Sequence, residues 1–332
     1  MSALLEIDDL TVDFAAGPRV AHAVRGVSLT VEAGRTTVVL GESGSGKSVT
    51  ARAIMGLVGG PATIRGAVRL DGADLLGLDE RAMRDLRGRD MGLVPQDPNG
   101  SLDPLRRVGA QIGEVLRAHR VVASRAARRA RVQELLAHAG ITDPARVARS
   151  YPHELSGGMR QRVAIAAAVA CGPRLLIADE PTTALDMTVQ ARILELFDRL
   201  QRDLDMAILL VTHDVGVARQ MGSSVVVMYA GRVVEQGPAR RVIERPAHPY
   251  TAALLGAQPR PGIPRGELLA LPGLPPSATT PIDDRCALVP RCAHSIAGCS
   301  AALPRLEPVA DSGSSACPVP WASAPATERS SG

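Results

Sequence analysis

The sequence predicts an α/β domain built on a mostly parallel sheet, followed by a loop-rich C-terminal extension. Three observations carry that expectation. Short apolar runs of strand length recur along the first part of the chain, and helix-competent segments separate several of them. Between about Leu102 and Arg149 the strand signal disappears and apolar residues recur at helical spacing. After Gln258 proline and glycine become frequent, periodicity fades, and four of the five cysteines appear.

Composition sets the bounds. At 332 residues the chain exceeds the one-domain norm, so a large domain with an appendage is expected. Hydrophobic residues at 45% and charged residues at 22% allow a sizeable core. Aromatics make up only 2%, so Val, Leu, Ile and Ala must build that core, and a nucleic-acid surface based on base stacking is not expected. The net charge of +4 is mild and does not choose between phosphate and an anionic membrane surface. The start of the chain carries Glu6, Asp8 and Asp9 in place of a basic, then apolar, leader. The longest nearly apolar stretch, Val163 to Cys171, is far short of the ~20 residues that span a bilayer. A cytosolic chain that meets a membrane only through partners is the expectation.

Taken in order, Leu5–Phe14 partly alternates apolar and polar residues, as a half-buried strand does, and Val27–Val31 repeats the pattern. Thr36–Leu40 is a short β-branched run of the fully buried kind. Leu93–Val94, Leu175–Ala178, Ile208–Val211 and Val225–Val227 are similar short apolar runs. In the helical insert, Val108, Ile112, Val115 and Leu116 and then Val132, Leu135 and Leu136 set the period. Its arginines, Arg117, Arg120, Arg125, Arg128, Arg129 and Arg131, read as a solvated helix face. Cys171, just after an apolar run, reads as a buried structural thiol.

GESGSGKS at Gly41–Ser48 fits the phosphate-binding loop G-x-x-x-x-G-K-[ST] at every fixed position, between a buried strand and a helix-competent segment. Gly41, Gly44 and Gly46 let the backbone wrap around phosphate, and the following helix points its N-terminal dipole at the same anion. Lys47 reaches the β- and γ-phosphates in this arrangement, and the Ser48 hydroxyl ligates Mg²⁺. LLIADE at Leu175–Glu180 adds a buried strand ending in two carboxylates: Asp179 for the Mg²⁺ shell and Glu180 to polarise the attacking water.

LSGGMRQR at Leu155–Arg162 resembles the signature sequence of the ABC ATPase family. The resemblance runs over about Leu4–Thr251 and implies a P-loop NTPase with a mostly parallel sheet, an antiparallel β-subdomain and a helical subdomain at about 102–172. It implies ATP and Mg²⁺ as ligands, with Gly41, Glu42, Ser43, Gly44, Ser45, Gly46, Lys47, Ser48 and Val49 around the nucleotide. Mg²⁺ is held through Ser48, Gln96 and Asp179, and Gln96 also reaches toward membrane subunits. Glu180, His213 and Gln96 are the implied catalytic residues. Ser156, Gly157 and Gly158, with Asp186 in Ala184-Leu185-Asp186, belong to the ATP site of a second, head-to-tail subunit. Phe14 is either the aromatic that packs on adenine or a core residue at a strand end.

AHPYTAALL at Ala247–Leu255 and RCALVPRCAHSIAGC at Arg285–Cys299, closed by Cys317-Pro318, resemble the C-terminal region of oligopeptide, dipeptide and nickel importer ATPases. HPYT reads as structural packing. With the composition break at Gln258, this gives an ATPase domain at 1–257 and an extension at 258–321, and the composition of 322–332 reads as a disordered end. The resemblance also implies a peptide importer with a second, related ATPase subunit, two membrane permeases and an extracytoplasmic solute-binding protein, on the cytoplasmic side of the membrane and without nucleic acid. Import of nickel chelate, and a soluble non-transport ATPase, are the alternatives. Cys286, Cys292, Cys299 and Cys317 sit in a Pro-rich segment that cannot easily order itself by burial, so a metal would explain its persistence. The spacing C-x5-C-x6-C-x17-C lacks the close C-x2-C knuckles of common zinc sites; zinc, an iron–sulfur cluster and free thiols all stay open. Among related importer ATPases this tail pattern goes with a 4Fe-4S cluster, which the resemblance therefore implies here.

Overall fold

The computed structural model describes residues 2–183, 185–257, 271–282 and 284–319. The first two strand-like runs form one long antiparallel pair, β1 (Ala3–Ala16) and β2 (Arg19–Glu32), with Leu5, Leu10, Val12, Val27 and Val31 buried. Next come β3 (Thr36–Leu40) and helix α1 (Lys47–Ile54), then β4 (Ala62–Leu70) and β5 (Ala73–Asp74). The four-stranded antiparallel sheet has the order β2-β1-β4-β5. β4 does not stand out in the sequence, because ATIRGAVRL buries only Val68 and Leu70 and carries Gly66 and two arginines.

After α2 (Glu80–Leu86) and β6 (Met91–Val94) the chain is helical up to the next strand. α3 (Pro98–Ser101), α4 (Val108–Ala118), α5 (Arg125–His138), α6 (Pro144–Arg149) and α7 (Gly157–Ala168) fill the interval. Ser124, Asp143 and Ser156 start three of these helices by accepting a backbone N–H three residues on. Cys171 follows α7 in a turn and is only half-buried, not the interior thiol its apolar flank suggests.

The second half alternates as a parallel sheet requires: β7 (Leu175–Asp179), α8 (Met187–Leu204), β8 (Ala207–Thr212), α9 (Val215–Met221) and β9 (Ser224–Tyr229). β10 (Arg232–Pro238) returns antiparallel to β9 and is followed by α10 (Ala239–Glu244) and α11 (Pro249–Gly256). Alternate residues of the central strands face opposite cores. Val38, Leu176, Ile208 and Val225 join the core that includes the helical insert, while Val39, Leu175, Leu209 and Val226 join the core under the antiparallel sheet. Burial on both faces explains why these strands read as unbroken apolar runs.

The extension is not a separate appendage. It contributes α12 (Ala297–Ala301), β11 (Glu307–Pro308) and β12 (Ser314–Ser315), and β12 pairs with β10 so that the large sheet reads β11-β12-β10-β9-β3-β8-β7-β6. Arg25 donates to the carbonyls of Ala278 and Thr280 at 3.0 and 2.9 Å, pinning the extension to β2. The expected disordered end, 322–332, and residues 258–270 lie outside the described residues.

Candidate functional site

β3, β8 and β7 are parallel neighbours, so their C-terminal ends open on one edge of the sheet. Leu40 lies opposite Thr212 and Asp179 opposite Val211. That register brings together the loop after Leu40, the two carboxylates after Ala178 and the histidine after Thr212, at the edge where open α/β sheets bind ligands.

The loop from Gly41 to Ser48 folds tightly on itself. A Cβ on Gly41 would run into the Met228 carbonyl oxygen, and one on Gly46 would meet the Ala23 carbonyl at 2.6 Å. Gly46 is also the α1 N-cap at φ 99°, a conformation glycine adopts without strain. The loop therefore needs glycine for space at Gly41 and for conformation at Gly46. Lys47 is buried, its ammonium donating to the carbonyls of Gly41 at 2.9 Å and Glu42 at 2.8 Å. Burial pushes the Lys47 ammonium below its ordinary value, while Glu180, Asp179 and Glu42 pull the other way. Ser43 and Gly44 are exposed, Ser45 is buried, and Val49 is half-buried on α1.

The Ser48 hydroxyl donates to Asp179 Oδ1 at 2.8 Å, so a helix-borne hydroxyl and a strand-end carboxylate share one small space. Burial pushes the Asp179 carboxyl up, and the Ser48 hydrogen bond opposes that. A hard divalent cation suits this oxygen pair and would favour the carboxylate form. Glu180 is the hub of the edge. Its Oε2 accepts from the Thr183 hydroxyl at 2.9 Å and from the Gln96 amide at 3.3 Å, and His213 Nδ1 stands 3.2 Å away. Glu180 is 12% exposed and His213 is 56% exposed, so the carboxylate is recessed and the imidazole reaches solvent. Glu180 also sits at φ 46°, in the left-handed region that non-glycine residues rarely occupy. Strain of that kind is typical of a side chain aimed for chemistry.

The structure gathers Lys47, Ser48, Gln96, Asp179, Glu180 and His213. It does not gather the signature with them. Ser156 caps α7 by accepting from Met159 N–H at 3.3 Å, and Asp186 caps α8 by accepting from Val189 N–H at 2.9 Å. Among the described residues no hydrogen bond joins residues 156–158 or Asp186 to the loop at 41–48. Ala184 lies outside the described residues. Gly158 packs on Val189, a Cβ there meeting its methyl at 2.8 Å, which leaves Ser156 and Gly157 exposed at a helix start. Phe14, near the end of β1, is half-buried against the core of the antiparallel sheet.

Residues 24–183 match the ABC transporter family, and residues 234–299 match the oligopeptide/dipeptide transporter C-terminal region. The chain is 46% identical to the oligopeptide transport ATP-binding protein OppD of Bacillus subtilis, over 85% of this chain and 79% of that protein. It is 42% identical to the dipeptide transport ATP-binding protein DppD of the same organism, over 92% of this chain and 91% of that protein. This chain belongs to the ABC transporter ATP-binding family.

The fold agrees. A dimeric, post-hydrolysis state of an ATP-binding cassette with ADP and phosphate bound superposes with a TM-score of 0.64 at 32% identity, over 71% of this chain and 99% of that one. The chain is accordingly an ATPase of ABC type, with ATP and Mg²⁺ as the ligands of that family. The matched C-terminal region starts at 234, inside β10, earlier than the composition break at Gln258. In this ABC ATPase the HPYT segment does more than pack. His248 is buried and caps α11 by accepting from Tyr250 N–H at 3.1 Å, and the Tyr250 hydroxyl accepts from Glu42 N–H at 2.8 Å.

Cys286, Cys292, Cys299 and Cys317 line one small cavity with His248, Leu288, Val289 and His294. Burial pushes the Cys286 and Cys292 thiols up, and Cys317 up to about 11. Among the described residues no group of three or more His, Cys, Asp or Glu side chains stands close enough to hold a metal ion. The expected metal donors thus share a cavity but do not form a preassembled metal site. Three residues at the nucleotide edge escaped the sequence reading: Thr183, Tyr250 and Arg291. Tyr250 and Arg291 lay inside recognised segments without being singled out there, and nothing in the sequence points to Thr183.

Proposed function

We propose that this ABC ATPase powers import of peptides, from dipeptides to oligopeptides, across the cytoplasmic membrane. The observation that carries the reading is the C-terminal region at 234–299, which matches that of oligopeptide and dipeptide transporters and is joined to a complete set of ATP-site side chains. The names of the relatives support it. Within the unit, the ATPase domain runs to about 257, with its helical part at about 102–172, and the extension follows from 258.

Phosphates of ATP are received by the backbone of Gly41–Ser48 and by the Lys47 ammonium. Ser48, Asp179 and Gln96 would hold Mg²⁺, which would supply positive charge to offset the negative charge developing on the phosphates. Glu180 orients and polarises the attacking water, and His213 and Gln96 hold that carboxylate and approach the γ-phosphate. Ser156, Gly157, Gly158 and Asp186 serve the ATP held by a second, related ATPase subunit, consistent with a helix start exposed on the surface. Phe14 offers its half-exposed face to adenine. Two membrane permeases and an extracytoplasmic binding protein complete the assembly, with this chain peripheral on the cytoplasmic side; no described helix is long and apolar enough to cross a membrane.

Cys286, Cys292, Cys299 and Cys317 would hold a 4Fe-4S cluster, with zinc as the alternative metal. Four thiols around one cavity are a fitting donor set for either. A cluster held there would brace the extension. One preparation tests both proposals: the chain is affinity-purified anaerobically from its own membranes, its partners identified and its iron and zinc measured. Two multi-span partners and ATP turnover that rises with peptide and binding protein are expected, with brown colour and four irons per chain. Recovery without any membrane-spanning partner overturns the importer, and a colourless protein with one zinc overturns the iron–sulfur cluster.

A further inference from the structure

Arg291 lies in the extension, 249 positions from Glu42, yet its guanidinium grips the Glu42 carboxylate from inside the phosphate loop. Nη1 donates to Oε2 at 3.0 Å and Nη2 approaches Oε1 at 3.4 Å. The Arg291 side chain is 7% exposed. It is held in turn by the Pro272 carbonyl, which accepts from Nε at 2.9 Å, and by the Tyr229 hydroxyl at 3.3 Å. Its guanidinium carbon lies 5.8 Å from the Tyr229 ring centroid. Tyr229 packs on Tyr250 with centroids 4.6 Å apart, and Tyr250 accepts the Glu42 N–H. Lys47 takes the Glu42 carbonyl. Glu42 is thereby clamped at its side chain, its N–H and its C=O.

The chemistry of that position needs such a clamp. Glu42 is a carboxylate in a loop that receives a polyphosphate, and left unpaired it opposes the incoming charge. A bidentate arginine both neutralises it and fixes its direction, leaving the loop shaped for phosphate before the nucleotide arrives. The geometry points to Arg291 as a positioning residue for ATP: it acts through Glu42, so the cysteine-bearing extension is a working part of the nucleotide site. Cys292 follows Arg291 directly and lines the cysteine cavity, and His248 lines the same cavity two residues before Tyr250. Both pins on Glu42 therefore start at that cavity's wall.

The inference rests on the loop at 41–48 binding ATP, and its test separates the two. Mg-ATP affinity, KM and kcat are measured on the full-length chain in its assembly. Arg291→Ala is expected to raise Kd and KM about fivefold with kcat at saturation kept, a coupling of ordinary size for a contacting pair. Adding Glu42→Gln removes the uncompensated charge and returns KM to within about twofold of wild type. An arginine that merely anchored the extension would show no such recovery. Unchanged affinity in Arg291→Ala, or a loss that Glu42→Gln does not repair, overturns the proposal. If Arg291→Ala does not fold, Arg291→Lys decides, because one ammonium cannot span both oxygens; a partial rise in KM is expected and a wild-type KM overturns it. Lys47→Ala is the control. Should it also bind nucleotide normally, the reading of the loop itself is at fault.

Discussion

The edge of the parallel sheet and the cysteine-bearing extension both end against the loop at 41–48, but different forces bring them there. Asp179, Glu180 and His213 follow strands whose residues are buried on both faces, so backbone register delivers them. The described residues of the extension bury little apolar material, chiefly Ile282, Leu288 and Cys299, and are tied down by a few polar side chains. Arg25 holds two of its carbonyls, Arg291 holds Glu42 and the Pro272 carbonyl, and Glu235 holds the Ala247–His248 backbone that precedes it in the chain. One region is over-determined by many weak contacts, and the other depends on single charged groups. Point changes should therefore loosen the extension at sites where comparable changes leave the strands intact.

Glu235 offers the largest effect. It is fully buried, pairs with Arg241, and accepts from the N–H groups of Ala247 at 2.8 Å and His248 at 2.9 Å. Glu235→Ala leaves a buried guanidinium and two N–H groups without their acceptor, a loss expected to cost about 3–5 kcal/mol. Denaturant unfolding, with limited proteolysis to localise the change, should find the extension released first. A loss below about 1 kcal/mol would mean that the two regions are held alike, since that is the size of an exposed ion pair.

A smaller effect comes from His248, whose pKa burial lowers to about 4 from an ordinary 6.5. The folded-state value is the lower one, so as pH falls the unfolded chain takes the proton first. Stability from this group is full above about 6.5 and is lost as pH drops toward 4, by roughly 3 kcal/mol at most. His248→Asn keeps a cap acceptor for Tyr250 N–H and should flatten the stability curve over that window. Melting temperatures of the two proteins across pH 4–7 would show it; parallel curves would mean that His248 does not titrate on unfolding.

The two regions also differed in how far they could be read from sequence. Thr36–Leu40, Leu175–Ala178 and Ile208–Val211 announced themselves, because burial on both faces leaves no polar residue to blur the run. β4 and β10 did not: arginines and Gly66 break the first, and Gly237-Pro238 closes the second. At the site, Lys47, Ser48, Asp179 and Glu180 lie in contiguous motifs whose spacing is set by the phosphate itself. Thr183 and Arg291 are defined only by what they touch in space. Arg291 looked like one arginine among many, and Tyr250 like packing, because a hydrogen bond between residues 208 positions apart leaves no local trace. Cys171 was misplaced for a similar reason, since the apolar run before it ends at a surface turn.

ATP turnover in the purified assembly tests the central claim, that this edge of the sheet is a hydrolytic ATP site built around Glu180. Glu180→Gln keeps the size of the side chain and a partner for Gln96, Thr183 and His213, but removes the charge that polarises water. Phosphate release should fall by about 10²–10⁴-fold while Mg-ATP still binds with near wild-type affinity. Hydrolysis at the wild-type rate in Glu180→Gln would contradict the account.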